Sequence, residues 1–292
     1  MTIIIQLFIL TNSEVAMIPT VEQVKKMIPT NPEPDLWQSF CQEYFDKYDI
    51  NTVNRIAGFF AQGGHESNDF KTLMENLNYS ADRLIVVFPR YFPNLALANQ
   101  YHRQPQKIAN RVYNDALRSN KIGNTQEGDG WRFRGRGIFQ LTGRWNYEAF
   151  GKSIGMTAEE AAAYCGTKRG AFESACWYWK RNNLNRFADS NDIVGMSVAV
   201  NGGKIGLDDR KKRYYNAVSV LSASTQPSTT NYRMLMKGSR GEDVKKVQLA
   251  FKLADDGIFG NKTESAVRSW QRTRGYSVTG KLTINQVKEL IG

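Results

Sequence analysis

The chain has 292 residues, 41% hydrophobic and 12% aromatic, a globular composition that fits neither a disordered chain nor a membrane-embedded one. That length accommodates one large domain and a small one. A net charge of +11 draws the protein toward a polyanion (nucleic acid, an anionic membrane or an acidic cell wall) without choosing among them.

The chain opens with "MTIIIQLFILTNSEVAM". The run Ile3 to Leu10 is apolar but too short to span a bilayer, and no Lys or Arg precedes it, so it makes a poor signal peptide. It reads as an added strand, a docked tail, or an upstream start ahead of Met17, where "MIPTVEQVKKMIP" looks like the beginning of a domain. Export is therefore expected to be assisted by a separate pore protein.

From there the pattern is helical. Val53, Ile56, Ala57, Phe60 and Ala61 fall at i, i+3, i+4, i+7 and i+8, one apolar helix face. "TAEEAAAYCG" starts with a Thr cap and acids in its first turn and stops at Gly166. "GAFESACWYWKRN" and "DIVGMSVAVN" are further helix candidates. Alternating β-branched runs are scarce. The fold class is mainly α: a helical domain over 17–221 with long loops and room for a small hairpin. "SASTQPSTTN" is polar and lacks large apolar side chains, so 222–232 reads as a linker. Residues 233–292 form a small three-helix module, with "RGEDVKKVQLAFKL", "NKTESAVRSWQRTRG" and "TINQVKELI" as its helices. Positive charge concentrates here: residues 231–292 hold 12 Lys/Arg against 6 Asp/Glu.

The three cysteines, Cys41, Cys165 and Cys176, are too few and of the wrong parity for a disulfide framework. They read as small buried hydrophobes in a chain that folds in a reducing cytoplasm. "HESND" is not HExxH, no cysteine has a nucleophile's setting, "GRG" lacks a Walker lysine, and "DDGIFG" is too short for an EF-hand. No metal or organic cofactor is expected. Carboxylates remain. Glycoside hydrolysis needs two, one protonated to donate to the leaving oxygen and one ionised. Glu66 follows the apolar helix face, where desolvation would raise its pKa and suit an acid. Glu75 lies in the polar "ENLNYS", a natural place for an ionised base. Spacing alone makes this pair weak, since most such pairs are solvated surface.

A resemblance carries more. "FFAQGGHES", "GRGIFQLTGRWNY" and "VNGGKIGLDDRKKRYY" resemble, in order, three active-site signatures of family 19 glycoside hydrolases, covering roughly 50–216. "ENLNYSADRL" and "FPRYF" are similar to the bacterial and phage-lysin branch, whose segment between the glutamates is shorter than in plant chitinases. The resemblance implies a lysozyme-like helical fold, with Glu66 as general acid and Glu75 as the base that activates water with inversion. It puts Thr142 where the family helps the base hold its water, and Gln140, Asn146 and Asn201 where amides bind N-acetyl sugars. Arg210 matches an arginine that pairs with the acid; Tyr79 and Trp145 would pack against sugar faces. Each residue also has a plainer reading. His65 braces a helix end, Arg210 forms a surface ion pair, Gln140 and Asn146 satisfy backbone groups, and the tryptophans belong to the core.

The tail resembles the three-helix peptidoglycan-binding module through Gly238, Gly241, Asp243, Val244, Gln248, Asp256, Gly257, Phe259, Gly260, Thr263, Trp270 and Gln271. Most of these residues would build turn and core. Together the resemblances imply a phage endolysin, made in the host cytoplasm and released to the periplasm through a holin-type pore. Its expected partner is the peptidoglycan glycan strand rather than nucleic acid. It is expected to act as a monomer without stable membrane insertion. The rivals are a chitinase, a non-catalytic wall-binding virion protein, and a peptidase or amidase.

Overall fold

The computed structural model describes residues 17–225 and 233–291. Residues 1–16, including the apolar run Ile3 to Leu10, lie outside it. Chain contacts divide the protein into two units, up to Ala223 and from Ser224 onward.

The first unit is helical and is built around the helix Val53–Glu66. Thr52 caps it by accepting from the Arg55 N–H, and every residue from Ile56 to Gly64 is buried. Phe59 and Phe60 meet Phe45, Phe70, Phe172 and Trp179 with ring centroids 5.4–6.4 Å apart. Truncating such a ring to Ala costs roughly 3–5 kcal/mol. The helix Lys168–Arg181 supplies Phe172, Trp177 and Trp179 to the same core. The predicted cap at Thr157 is a full capping box with Glu160, opening the helix Ala158–Tyr164.

A smaller lobe of this unit has its own core of Leu77, Leu84, Phe92, Ile108 and Val112. Its helices Ala81–Val87, Leu95–Asn99 and Pro105–Val112 are all short. Pairing between extended segments is limited, among the described residues, to isolated bridges. Two of them, Met74 with Arg136 and Arg136 with Leu141, fold 133–142 back on itself beside Glu75. The helix Leu207–Thr225 runs four residues into the stretch read as linker, since 222–225 keep a helical backbone. The rest of that linker, 226–232, lies outside the described residues.

The second unit has helices Glu242–Ala250, Asn261–Thr273 and Ile284–Ile291 around Leu235, Val244, Val247, Phe259, Val267, Leu282 and Val287. Two buried amides organise its turns. Gln248 accepts from the Gly257 N–H at 2.9 Å and donates to Asp256 Oδ1 at 2.8 Å. Gln271 accepts from the Thr279 and Gly280 N–H groups, each at 3.0 Å. Burial without those partners would cost about 1–3 kcal/mol per orphaned group. No helix among the described residues is long and apolar enough to cross a membrane.

Candidate active site

The helix Val53–Glu66 ends by presenting two side chains, Gln62 and Glu66, to Arg210 on the helix Leu207–Thr225. The Arg210 side chain is 2% exposed. It donates to Gln62 Oε1 and to Glu66 Oε1, and its Nε reaches the Ile205 carbonyl at 3.4 Å. The bland reading of Arg210 as a surface ion pair is thus set aside: the guanidinium is in the interior and Glu66 satisfies it. His65 braces the same helix end through Asp209, 2.8 Å from its Nδ1. Asp209 and Asp69 both accept from Arg213, at 2.7 and 2.6 Å. Gly206, at φ +71°, lets the chain pass over the imidazole; a Cβ there would sit 2.3 Å from the ring.

Glu75 is held differently. The segment from Glu75 to Tyr79 is irregular, turning through bonds from the Asn78 N–H to Asn76 Oδ1 and from the Tyr79 N–H to Leu77 O, each at 2.9 Å, yet its burial alternates along the chain. Asn76 and Asn78 are exposed, Leu77 is buried, and Glu75 and Tyr79 are half-buried on the inner side. Tyr113 donates to Glu75 Oε1 at 2.5 Å, and the Gly135 N–H donates to Oε2 at 3.3 Å. Burial raises the Glu75 carboxyl above its ordinary pKa; the bonds from Tyr113 and Gly135 and the charge of Arg134 offset this only in part. The expected environments are therefore exchanged. Glu75, expected in a polar setting, is the desolvated carboxyl, and Glu66, expected to be desolvated, is charge-paired and about a quarter exposed.

Gly135 is where the other candidates converge. A Cβ on it would lie 2.8 Å from Gln140 Oε1 and 3.3 Å from both Glu75 Oε2 and Thr142 Oγ1. Gln140 is fixed by its Nε2, which donates to Gly137 O at 2.9 Å, and Thr142 Oγ1 donates to Gln140 O at 2.9 Å. A cleft of about 340 Å³ is lined by Gln140, Thr142, Asn146 and Tyr178, among others. Burial and the nearby charge of Glu66 push the Tyr178 hydroxyl up, which sets Glu66 beside that wall.

The remaining residues are less available. The Asn146 amide donates to Thr142 O at 2.8 Å. Asn201 donates to Ile205 O at 3.0 Å and accepts from the Gly203 N–H at 2.8 Å, so its amide is spent on its own loop. Tyr79 packs edge-on against Phe88, 5.4 Å between centroids, inside the small lobe. Trp145 is 55% exposed and is a surface indole, whereas Trp177 and Trp179 are core. Tyr113, Gln62 and Tyr178 went unread in the sequence. Only Gln62 left a trace there, as a lone amide between Ala61 and Gly63 in an apolar helix. Among the described residues no group of three or more His, Cys, Asp or Glu side chains is placed to hold a metal.

Known proteins give this geometry a family. Over 166 residues the chain is 42% identical to a Haemophilus influenzae protein described as "Glycosyl hydrolase family 19 domain-containing protein", matching 56% of this chain and 78% of that one. The chain belongs to glycoside hydrolase family 19. Residues 240–290 match the family described as "Putative peptidoglycan binding domain". Among solved structures, chitinase C from Streptomyces griseus aligns at 16% identity and TM-score 0.48, covering 74% of this chain and 98% of that one. A class IV family 19 chitinase from Zea mays aligns at 19% identity and TM-score 0.39, covering 70% and 82%. Overlays this loose carry no weight for function.

Proposed function

We propose that the protein hydrolyses the β-1,4 bonds between N-acetylated sugars of bacterial peptidoglycan, by inversion, and serves as a phage endolysin. The observation that carries this reading is the union, on one chain, of a family 19 hydrolase and a stretch matching a peptidoglycan-binding family. Glu66 donates a proton to the leaving oxygen. Glu75 takes one from the attacking water, which Thr142 helps to hold. A raised pKa makes Glu75 the stronger base, so its desolvation suits this role. Gln140 and Asn146 face the sugars along the cleft. The basic module, with 12 Lys/Arg against 6 Asp/Glu over 231–292, adds attraction to an anionic wall and raises the effective concentration of the bond to be cut. The enzyme is made in the host cytoplasm as a monomer and reaches the wall through a separate pore.

Mass analysis of the products from purified peptidoglycan and from chitin tests this. Glycan fragments with intact peptide stems are expected, with peptidoglycan the better substrate. Cut stems would make it a peptidase or amidase, turnover of chitin alone a chitinase, and binding without turnover a wall-binding protein.

A further inference from the structure

We propose that Tyr113 is a positioning residue for Glu75: its hydroxyl holds Oε1 and so leaves Oε2 turned toward Gly135, Thr142 and Gln140. The proposal rests on the reading of Glu75 as the base. It adds a residue that lies outside every sequence signature and 38 positions from the carboxylate it holds.

Tyr113 is anchored at every level. Its N–H donates to Ala109 O at 3.0 Å, closing the helix Pro105–Val112. Its carbonyl accepts from Asn124 Nδ2 at 3.0 Å. Its ring joins the small-lobe core and lies 5.7 Å from the Arg118 guanidinium. The hydroxyl therefore arrives from a fixed ring. Two donors on opposite oxygens, from two different segments, hold the Glu75 carboxyl at 2.5 and 3.3 Å. The backbone is pinned too, by the Glu75 N–H donating to Gly135 O at 3.1 Å.

The charged and titratable groups facing this pair are Arg134 beside Glu75, and Arg118 and Tyr79 beside Tyr113. Arg134 acts through its charge alone. It stacks on Trp131 at 3.7 Å and donates to the Trp131 carbonyl at 2.8 Å. Burial, then the Glu75 charge, push the Tyr113 hydroxyl far above its ordinary value, so it stays a donor at any working pH. A hydrogen bond to the charged form favours that form. The Tyr113 bond thus pulls against the desolvation of Glu75 and keeps the base ionised at lower pH than burial alone would allow.

A tyrosine that merely satisfies its own hydroxyl would leave the pH dependence of turnover untouched, and that separates the two roles. In the full chain acting on purified peptidoglycan, Tyr113→Phe is expected to move the acid limb of the kcat/KM profile up by about one pH unit. It should lower kcat more than it changes KM. Carbon-13 titration of the Glu75 carboxyl should show the same upward shift without reference to activity. Placing 3-fluorotyrosine at 113, an isosteric and stronger donor that spares the fold, should move both readouts down. An acid limb that stays put in both variants overturns the proposal. Glu75→Gln runs alongside: if it keeps wild-type turnover, the base reading falls and the positioning role with it. If it is inactive while the limb ignores Tyr113, the base reading stands and the positioning role alone fails.

Discussion

Replacing Arg210 by Met keeps most of its volume and removes its charge. The consequence follows from three contacts. Gln62 is 0% exposed, so its Oε1 loses the Arg210 donor with no water to replace it. One orphaned buried acceptor costs about 1–3 kcal/mol. The Glu66 carboxylate loses its partner as well, but at 26% exposure it recovers part of its hydration, so its share is below the roughly 3–5 kcal/mol of a fully buried broken pair. The Ile205 carbonyl is a long contact and adds little. A loss of about 2–4 kcal/mol is expected. For a unit of this size that lowers Tm by about 2–4 °C per kcal/mol, or roughly 4–16 °C. Circular dichroism melting of Arg210→Met measures it. A double-mutant cycle with Gln62→Leu sharpens it: removing both partners should recover about 1 kcal/mol relative to the sum of the single losses. Ser197, the other partner of Gln62, keeps its bond to Ile193 O in that variant. A Tm within a degree of wild type, or strict additivity in the cycle, would refute the view that Arg210 is the interior link between these two side chains.

Glu66→Gln should preserve the fold and wall binding and lower Tm by a few degrees, because the interior Arg210 keeps an amide acceptor but loses its counter-charge, while cutting kcat by about 10²–10⁴-fold, measured by release of reducing ends. Gly135→Ala should fold, because the atoms its Cβ meets are side-chain ends, yet lose about tenfold or more in kcat as Gln140 and Thr142 are displaced. Glu75→Gln should be inactive but melt at or above wild type at pH 7. A carboxyl whose folded pKa is raised loses stability as pH climbs above the unfolded value near 4.3, and a neutral amide escapes that loss. Asp69 and Asp129 behave oppositely. Burial opposes their ionisation, but Thr30 and Arg213 for the first and Arg144 for the second outweigh it and hold both below the usual range. Their stabilisation is full above the unfolded value near pH 3.9 and is lost as pH falls through the folded value, so Arg144→Gln should flatten the fall in Tm between pH 5 and 2.5.

How much of this was legible in the sequence depended on the length of each signal. The helix Val53–Glu66 announced itself because 53–61 set Val53, Ile56, Ala57, Phe60 and Ala61 on one face, although the fold goes further and buries every residue from Ile56 to Gly64. The small lobe did not, since its helices have five to eight residues, too few turns to display a face. Glu75 was misjudged for a different reason. "ENLNYS" is polar on average, but the folded segment sorts it residue by residue, leaving Asn76 and Asn78 out while Glu75 turns in, and the parity of that burial is set by turns at Asn78 and Tyr79. Average polarity cannot see parity. Tyr113 was invisible because nothing local marks a residue whose function is to reach across a gap in the chain. The pairing of Glu66 with Arg210 spans 144 positions and entered the sequence reading only through family resemblance.

The three cysteines have a consequence of their own. Cys41 and Cys176 are wholly buried, and burial pushes their thiols well up. Cys165 is pushed up to about 12 by burial, which its Ser174 contact offsets only in part. Thiolate is the form that oxidises, exchanges and binds metals, and this fold keeps all three sulfurs from becoming one. None of the three is therefore set up for disulfide exchange or metal capture, and the oxidisable sulfur that this fold leaves in reach of solvent, among the described residues, is thioether, at Met74, Met234 and Met236.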